Sequence, residues 1–202
     1  MSAAGKVCTG FSKPYVAKYS NDGGAVTYSG VMLLARGVSV SLSLNTTDDN
    51  TFYADNISAE AAAAVFADGT ATLTVDGLLA AAEKFVLGLP EATEIQAGGS
   101  VVQVSHYGDG MEIPYVGIGF IVRYQSGGVV TYAPVVLTKA RFQQPGLDAA
   151  TQEESIDWQT QELTATLMRD DTTNHDWKLV GADQPTEAAA EAVLKAILGG
   201  AA

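Results

Sequence analysis

Apolar and polar residues alternate with a period of two along much of this chain. Over residues 37–44, Val38, Val40, Leu42 and Leu44 point one way and Ser39, Ser41 and Ser43 the other. Over 70–75, Thr70, Thr72 and Thr74 oppose Ala71, Leu73 and Val75. Over 160–167, Thr160, Glu162, Thr164 and Thr166 oppose Gln161, Leu163, Ala165 and Leu167. Successive side chains leave a strand on opposite faces, so this pattern predicts strands with one face in a core and one in water. Further strands are predicted over 14–19, 26–33, 51–57, 101–105, 115–125 and 129–142. Turn chemistry separates them at Asn21-Asp22-Gly23-Gly24, Asp68-Gly69 and Ser126-Gly127-Gly128. Pro134 has no N–H to give to a ladder, which predicts an edge or a break there.

Two stretches follow a helical period instead. Over 77–87, Leu78, Leu79, Ala82, Phe85 and Val86 form an apolar stripe, with Asp76 as N-cap and Gly88 past the end. Over 186–198 the stripe is Val193, Leu194, Ile197 and Leu198, Glu191 stands four residues before Lys195, and Gly199-Gly200 closes the helix. Residues 60–66 set the helix propensity of an alanine run against flanking strands, and the segment is read as strand or irregular. Polar loops are expected over 45–50, 107–111 and 143–155. The elements predict a mainly β chain: an antiparallel β-sandwich or partial barrel with one flanking α-helix and a C-terminal α-helix. A single domain spans 1–202, with an N-terminal arm over 1–13, the sandwich over 14–182, and a C-terminal helix and tail over 183–202 that acts as an appendage.

Composition narrows the function classes. A chain of 202 residues that is 47% apolar buries enough surface to need no disulfide or metal for stability. Its single cysteine, Cys8, has no partner for an internal bridge. Eleven basic residues against 23 acidic ones give a net charge of −12. Such a surface repels nucleic acid, which argues against a sequence-specific DNA binder. The start of the chain has no apolar signal region, and the longest strongly apolar run, 115–122, is too short to span a bilayer. A cytoplasmic origin and no membrane partner are therefore expected.

Candidate chemistry is sparse. His106 and His175 have no partner at metal-ligand spacing, and Cys8 has no histidine beside it in sequence. Gly117-Ile118-Gly119 resembles half of a dinucleotide fingerprint, but Val122 holds the third glycine position and the segment continues as a strand. Asp48, Asp49, Asp55 and Asp109 miss the calcium-loop spacing. No catalytic residue and no cofactor are expected. What remains is the rows of small hydroxyls. Their ordinary reading is the wet face of an antiparallel sheet, where threonine is at home. Their functional reading is a smooth polar wall, without cations, past which a polyanion slides.

Several segments recur in an order that carries a family resemblance. They are Val16-Ala17-Lys18-Tyr19, then Ala35-Arg36-Gly37-Val38-Ser39-Val40-Ser41-Leu42, then Thr51-Phe52-Tyr53-Ala54-Asp55-Asn56. The stretches 70–77, 117–124 and 132–142 follow, and then 154–164, which contains Ser155-Ile156, Gln159-Thr160 and Leu163-Thr164. This order resembles that of the phi13-type major tail proteins of long-tailed siphophages. The resemblance implies the tail-tube fold, with six copies in a ring and rings stacked into a tube. Inner-sheet strands of neighbouring copies would join into one barrel around a lumen. It implies as partners further copies of the chain, a tape-measure protein, and tail terminator and initiator proteins, with DNA passing through without specific binding. The location implied is the virion tail, reached from the host cytoplasm. On this reading Ser39, Ser41, Ser43, Thr70, Thr72, Thr74, Glu162, Thr164 and Thr166 line the lumen. Asp48, Asp49, Phe52 and Tyr53, with the N-terminal arm, stack the rings. Two other classes are a capsid decoration or tail-completion protein, and a carbohydrate-binding β-sandwich. The latter would cluster exposed aromatics with acids, whereas Trp158 and Trp177 lie in different segments.

Overall fold

The structure, a computed structural model, describes residues 5–48, 50–147, 149–151 and 158–200, with the backbone alone at 50, 51, 53, 54, 58, 59, 61 and 62. Its strands are β1 (Val7–Asp22), β2 (Ala25–Leu33), β3 (Gly37–Thr46), β4 (Asn50–Ala54), β5 (Ile57–Ala62), β6 (Phe66–Val75), β7 (Thr93–Ala97), β8 (Ser100–Val104), β9 (Val116–Ser126), β10 (Val129–Phe142), β11 (Gln161–Met168) and β12 (Lys178–Val180). The helices are α1 (Ala80–Leu87) and α2 (Glu187–Ile197). The chain is mainly β and antiparallel, as the alternation predicts. One sheet runs β2-β1-β9-β10-β11-β6-β3, with β12 beside β10. The β4–β5 and β7–β8 pairs are separate two-stranded hairpins.

The ends of the sheet path, β2 and β3, are joined by Leu34, Ala35 and Arg36 alone. Such a link reaches about 13 Å at most, so the sheet must curl until its two borders are near each other. The curl is a partial barrel and does not close. Inside it, Leu73, Val75, Leu163 and Leu167 meet Ile118, Leu137 and Phe142. From α1, Ala82, Val86 and Leu87 join this core, and Gly88 ends the helix in the left-handed conformation at φ 60°.

The opposite face of β9 and β10 is covered by α2. Leu194 and Leu198 are fully buried there, with Ala190, Ile121, Val136 and Tyr15. They seat on the two glycines of β9. A Cβ at Gly119 would stand 2.7 Å from Leu194 Cδ1, and one at Gly117 2.6 Å from the Tyr28 ring. The Gly-Ile-Gly run is thus a helix-docking groove, and α2 is a packed layer of the domain, not an appendage. Thr186 caps it, its hydroxyl accepting from Ala189 N–H at 3.2 Å. Glu191 then ties it to β1: it pairs with Lys195 at 2.8 Å and Lys13 at 3.2 Å and accepts from the Tyr15 hydroxyl. The Lys195 ammonium, followed by the Tyr15 hydroxyl, holds this carboxyl down at about 2.

Four expectations need correction. Asp76 does not cap α1: the helix begins after Leu79, which makes no side-chain cap bond. Asp76 instead accepts from the Arg36 N–H at 3.0 Å and from its guanidinium, pinning the start of β3 to the end of β6. That hydrogen bond to Arg36 holds the Asp76 carboxyl below its usual range. Pro134 neither breaks β10 nor lies at an edge. Tyr132 and Pro134 aim their main-chain groups away from β9, at Gln184 and Gly181, so the missing N–H falls where pairing is sparse. The strand expected over 51–57 is a hairpin, reversed at Asp55 and Asn56 with φ of 51° and 62°. Residues 7–13, expected as an arm, form the first half of β1 against β9.

Two outcomes follow. Gly119→Val should destabilise the fold by about 1–3 kcal/mol, read by thermal melting, because a side chain there displaces Leu194. Glu191, with its folded-state value depressed from 4.5 to about 2, contributes stability that is complete above pH 4.5 and lost as pH falls toward 2. The melting temperature of Glu191→Gln should therefore fall less over that window than that of the parent chain.

Candidate assembly surface

Directly opposed residues on neighbouring strands share a face, so the pairing register decides what the sheet presents. β3 pairs with β6, and β6 with β11, at Ser39–Thr74–Glu162, Ser41–Thr72–Thr164 and Ser43–Thr70–Thr166. All nine residues predicted to line a lumen thus stand in three cross-strand rows on one face. The three serines and Glu162 are exposed and the five threonines half-buried. Between the rows, Ala71, Leu73, Val75, Leu163, Ala165 and Leu167 turn inward and are buried. The Ser39 hydroxyl donates to Thr74 Oγ1 at 3.0 Å, tying β3 to β6 within the first row.

The register adds members that alternation alone does not reveal. Asn45 opposes Asp68 and donates to its carboxylate at 2.6 Å, extending the face along β3 and β6. β10 pairs with β11 only from Lys139 to Phe142, which brings Arg141 opposite Thr166. Neither Lys nor Arg occurs in β3, β6 or β11, so Arg141 and Lys139 bring the first cations to the face, from its β10 side. Lys139 is paired with Asp171 at 2.7 Å. The signal that finds Arg141 is the strand pairing, which no sequence pattern states.

The border of this face is open. Among the described residues, β3 pairs with β6 and with no other named strand, so its second edge has no ladder partner there. From the far ends of β3 and β6 the β4–β5 hairpin projects. Its neck is tied by Thr47 N–H to the Val65 carbonyl at 2.9 Å and Val65 N–H to the Thr47 hydroxyl at 3.1 Å. Of the residues predicted to stack rings, Asp48 is exposed at that neck and Phe52 is 63% exposed on β4. Asp49 and the Tyr53 side chain lie outside the described residues. Ile57, at 69% exposure, adds a second large apolar side chain to the hairpin.

Other candidate positions lie apart from this face. His106 shares a 2.7 Å hydrogen bond with the Thr93 hydroxyl, and His175 bonds the Asp170 carbonyl at 3.2 Å. Cys8 is exposed on β1. Trp177 is taken up in a stack with Phe66, ring centroids 4.7 Å apart, and so offers no free platform for a sugar ring. A cleft of about 370 Å³ opens beside Glu162 where β10 leaves β11, and its lining mixes amide, hydroxyl and carboxylate groups with Pro145 and Leu147, without an aromatic ring. Among the described residues, no helix is long and apolar enough to cross a membrane. The chain matches no protein-family model and no curated protein.

The orientation of the face is open to direct test. Lysine at Ser41 or Thr72 should leave stability within about 0.5 kcal/mol, because its ammonium stays in water. Lysine at Leu73, one position along, should cost roughly 3–5 kcal/mol or more, because its charge is forced into the core. Denaturant midpoints of the purified variants read both.

Proposed function

We propose that this chain is a structural subunit that polymerises into a hollow tube, the tail tube of a long-tailed phage, through which DNA passes. The observation that carries the reading is the set of nine residues on one face, in three rows, with a free strand at its border. A sheet whose border is open is completed by the border of another copy, and repetition of a curved unit closes a ring. A ring built so that this face turns inward presents hydroxyls and carboxylates to its lumen. With a net charge of −12 per copy, the wall repels a polyanion and leaves it no site at which to stall. The β4–β5 hairpin, with Phe52 and Ile57 exposed, supplies apolar area for contact between successive rings. Family resemblance in the order of segments supports the same reading. Further copies of the chain, a tape-measure protein, and terminator and initiator proteins are its proposed partners, and no cofactor takes part.

Negative-stain microscopy of the concentrated protein is the decisive measurement. Long hollow tubes or six-membered rings are expected. Isolated trimers or caps would favour a capsid decoration or tail-completion role, and a glycan-array signal would favour the carbohydrate-binding class. Lysine at Ser41, Thr72 and Thr164 together should leave tubes intact but slow DNA ejection in a salt-dependent manner. Ejection at the parental rate, with the parental salt response, would refute the repulsive-wall mechanism.

A further inference from the structure

Eleven basic residues serve a chain with 23 acids, and most of them are spoken for. Six form ion pairs within the subunit: Lys6, Lys13, Arg36, Lys84, Lys139 and Lys195. Of the others, Arg169 is bonded to the Phe66 carbonyl and Arg123 to the Thr9 hydroxyl. Lys18 and Lys178 lie over the rings of Phe85 and Trp177. Arg141 differs from these in where it stands. It extends the row Ser43–Thr70–Thr166 by one strand, it is exposed, and it has no carboxylate partner among the described residues. The Tyr115 ring lies 5.8 Å from its guanidinium carbon, which holds the side chain up at the point where the last β9–β10 pair, Val116–Ala140, has been passed.

Copies that each carry a net charge of −12 repel one another, so a contact between them needs local charge complementarity. On the hydroxyl face, the strands β3 and β6 next to the free border carry one carboxylate, Asp68. We propose that Arg141 is an assembly residue: it pairs with Asp68 of a second copy when the β10 side of the face meets the free β3 border of its neighbour. The inference rests on the tube reading and deepens it. It gives the joint a polarity, cation on one side and anion on the other, so that joined copies all point the same way round. It also takes the Arg141 guanidinium out of the path of DNA.

The test is a charge reversal and its rescue in the full chain, with assembly followed by light scattering and microscopy. Arg141→Glu should melt like the parent but need at least about tenfold more protein to assemble, the scale of a lost interfacial charge pair. Asp68→Arg should behave alike, and the double variant should assemble near the parental concentration. Assembly of Arg141→Glu at the parental concentration would overturn the inference while leaving the tube reading intact. So would two folded single variants that the double exchange fails to rescue. Normal assembly of Arg141→Gln with altered DNA passage would place the guanidinium against DNA and also overturn it. A parent chain that stays monomeric at every concentration would remove the tube reading itself, and this joint with it.

Discussion

The pairing register of β3, β6 and β11 governs what this molecule offers to its surroundings. Ser41 opposite Thr72 opposite Thr164 places every second residue of three strands on the wet side, and Leu73 with Leu163 on the dry side. A slip by one residue on any strand would bury hydroxyls and expose leucine, so burial and the polar wall are two results of one alignment. The Arg36–Asp76 contact stands at the end of that alignment and anchors it where β3 begins.

The elements that were legible in sequence are those whose chemistry is local. Alternation marks β6 and β11 because each has one dry face, and β3 less fully, since Val40 and Leu42 are half-buried while Val38 and Leu44 are exposed. The Val193-Leu194-Ile197-Leu198 stripe and the Glu191–Lys195 spacing mark α2 because helical period and one-turn pairing act within a few residues. Positions decided by partners far along the chain were not legible. Asp76 has the form of a helix cap and is claimed by Arg36, forty residues earlier. The Asp55-Asn56 reversal was hidden because neither residue is glycine, although both adopt positive φ. Arg141 joined the face through strand pairing alone. Pro134 misled for the same reason: the side to which its missing N–H points depends on which strands lie on either hand.

Sheet and helix also divide the labour. One face of the curled sheet, with α1, forms the larger core and leaves the hydroxyl rows in water. The other, over β9 and β10, is sealed by α2 and locked to β1 through Glu191, Lys13 and Tyr15. The hydroxyl face, its β3 border and the hairpins thus stay in water, while α2 covers the outer face of β9 and β10.

The glycine groove beneath α2 makes the tolerance of this region to mutation one-sided. A leucine of the helix can shrink and leave a void that its neighbours partly refill. Gly117 and Gly119 grow only if Tyr28 or Leu194 is displaced, since the first atom of any side chain would already lie within 3 Å of one of them. Sequence drift should therefore run through the helix and halt at the strand, so that two residues without side chains become the most constrained letters in this layer.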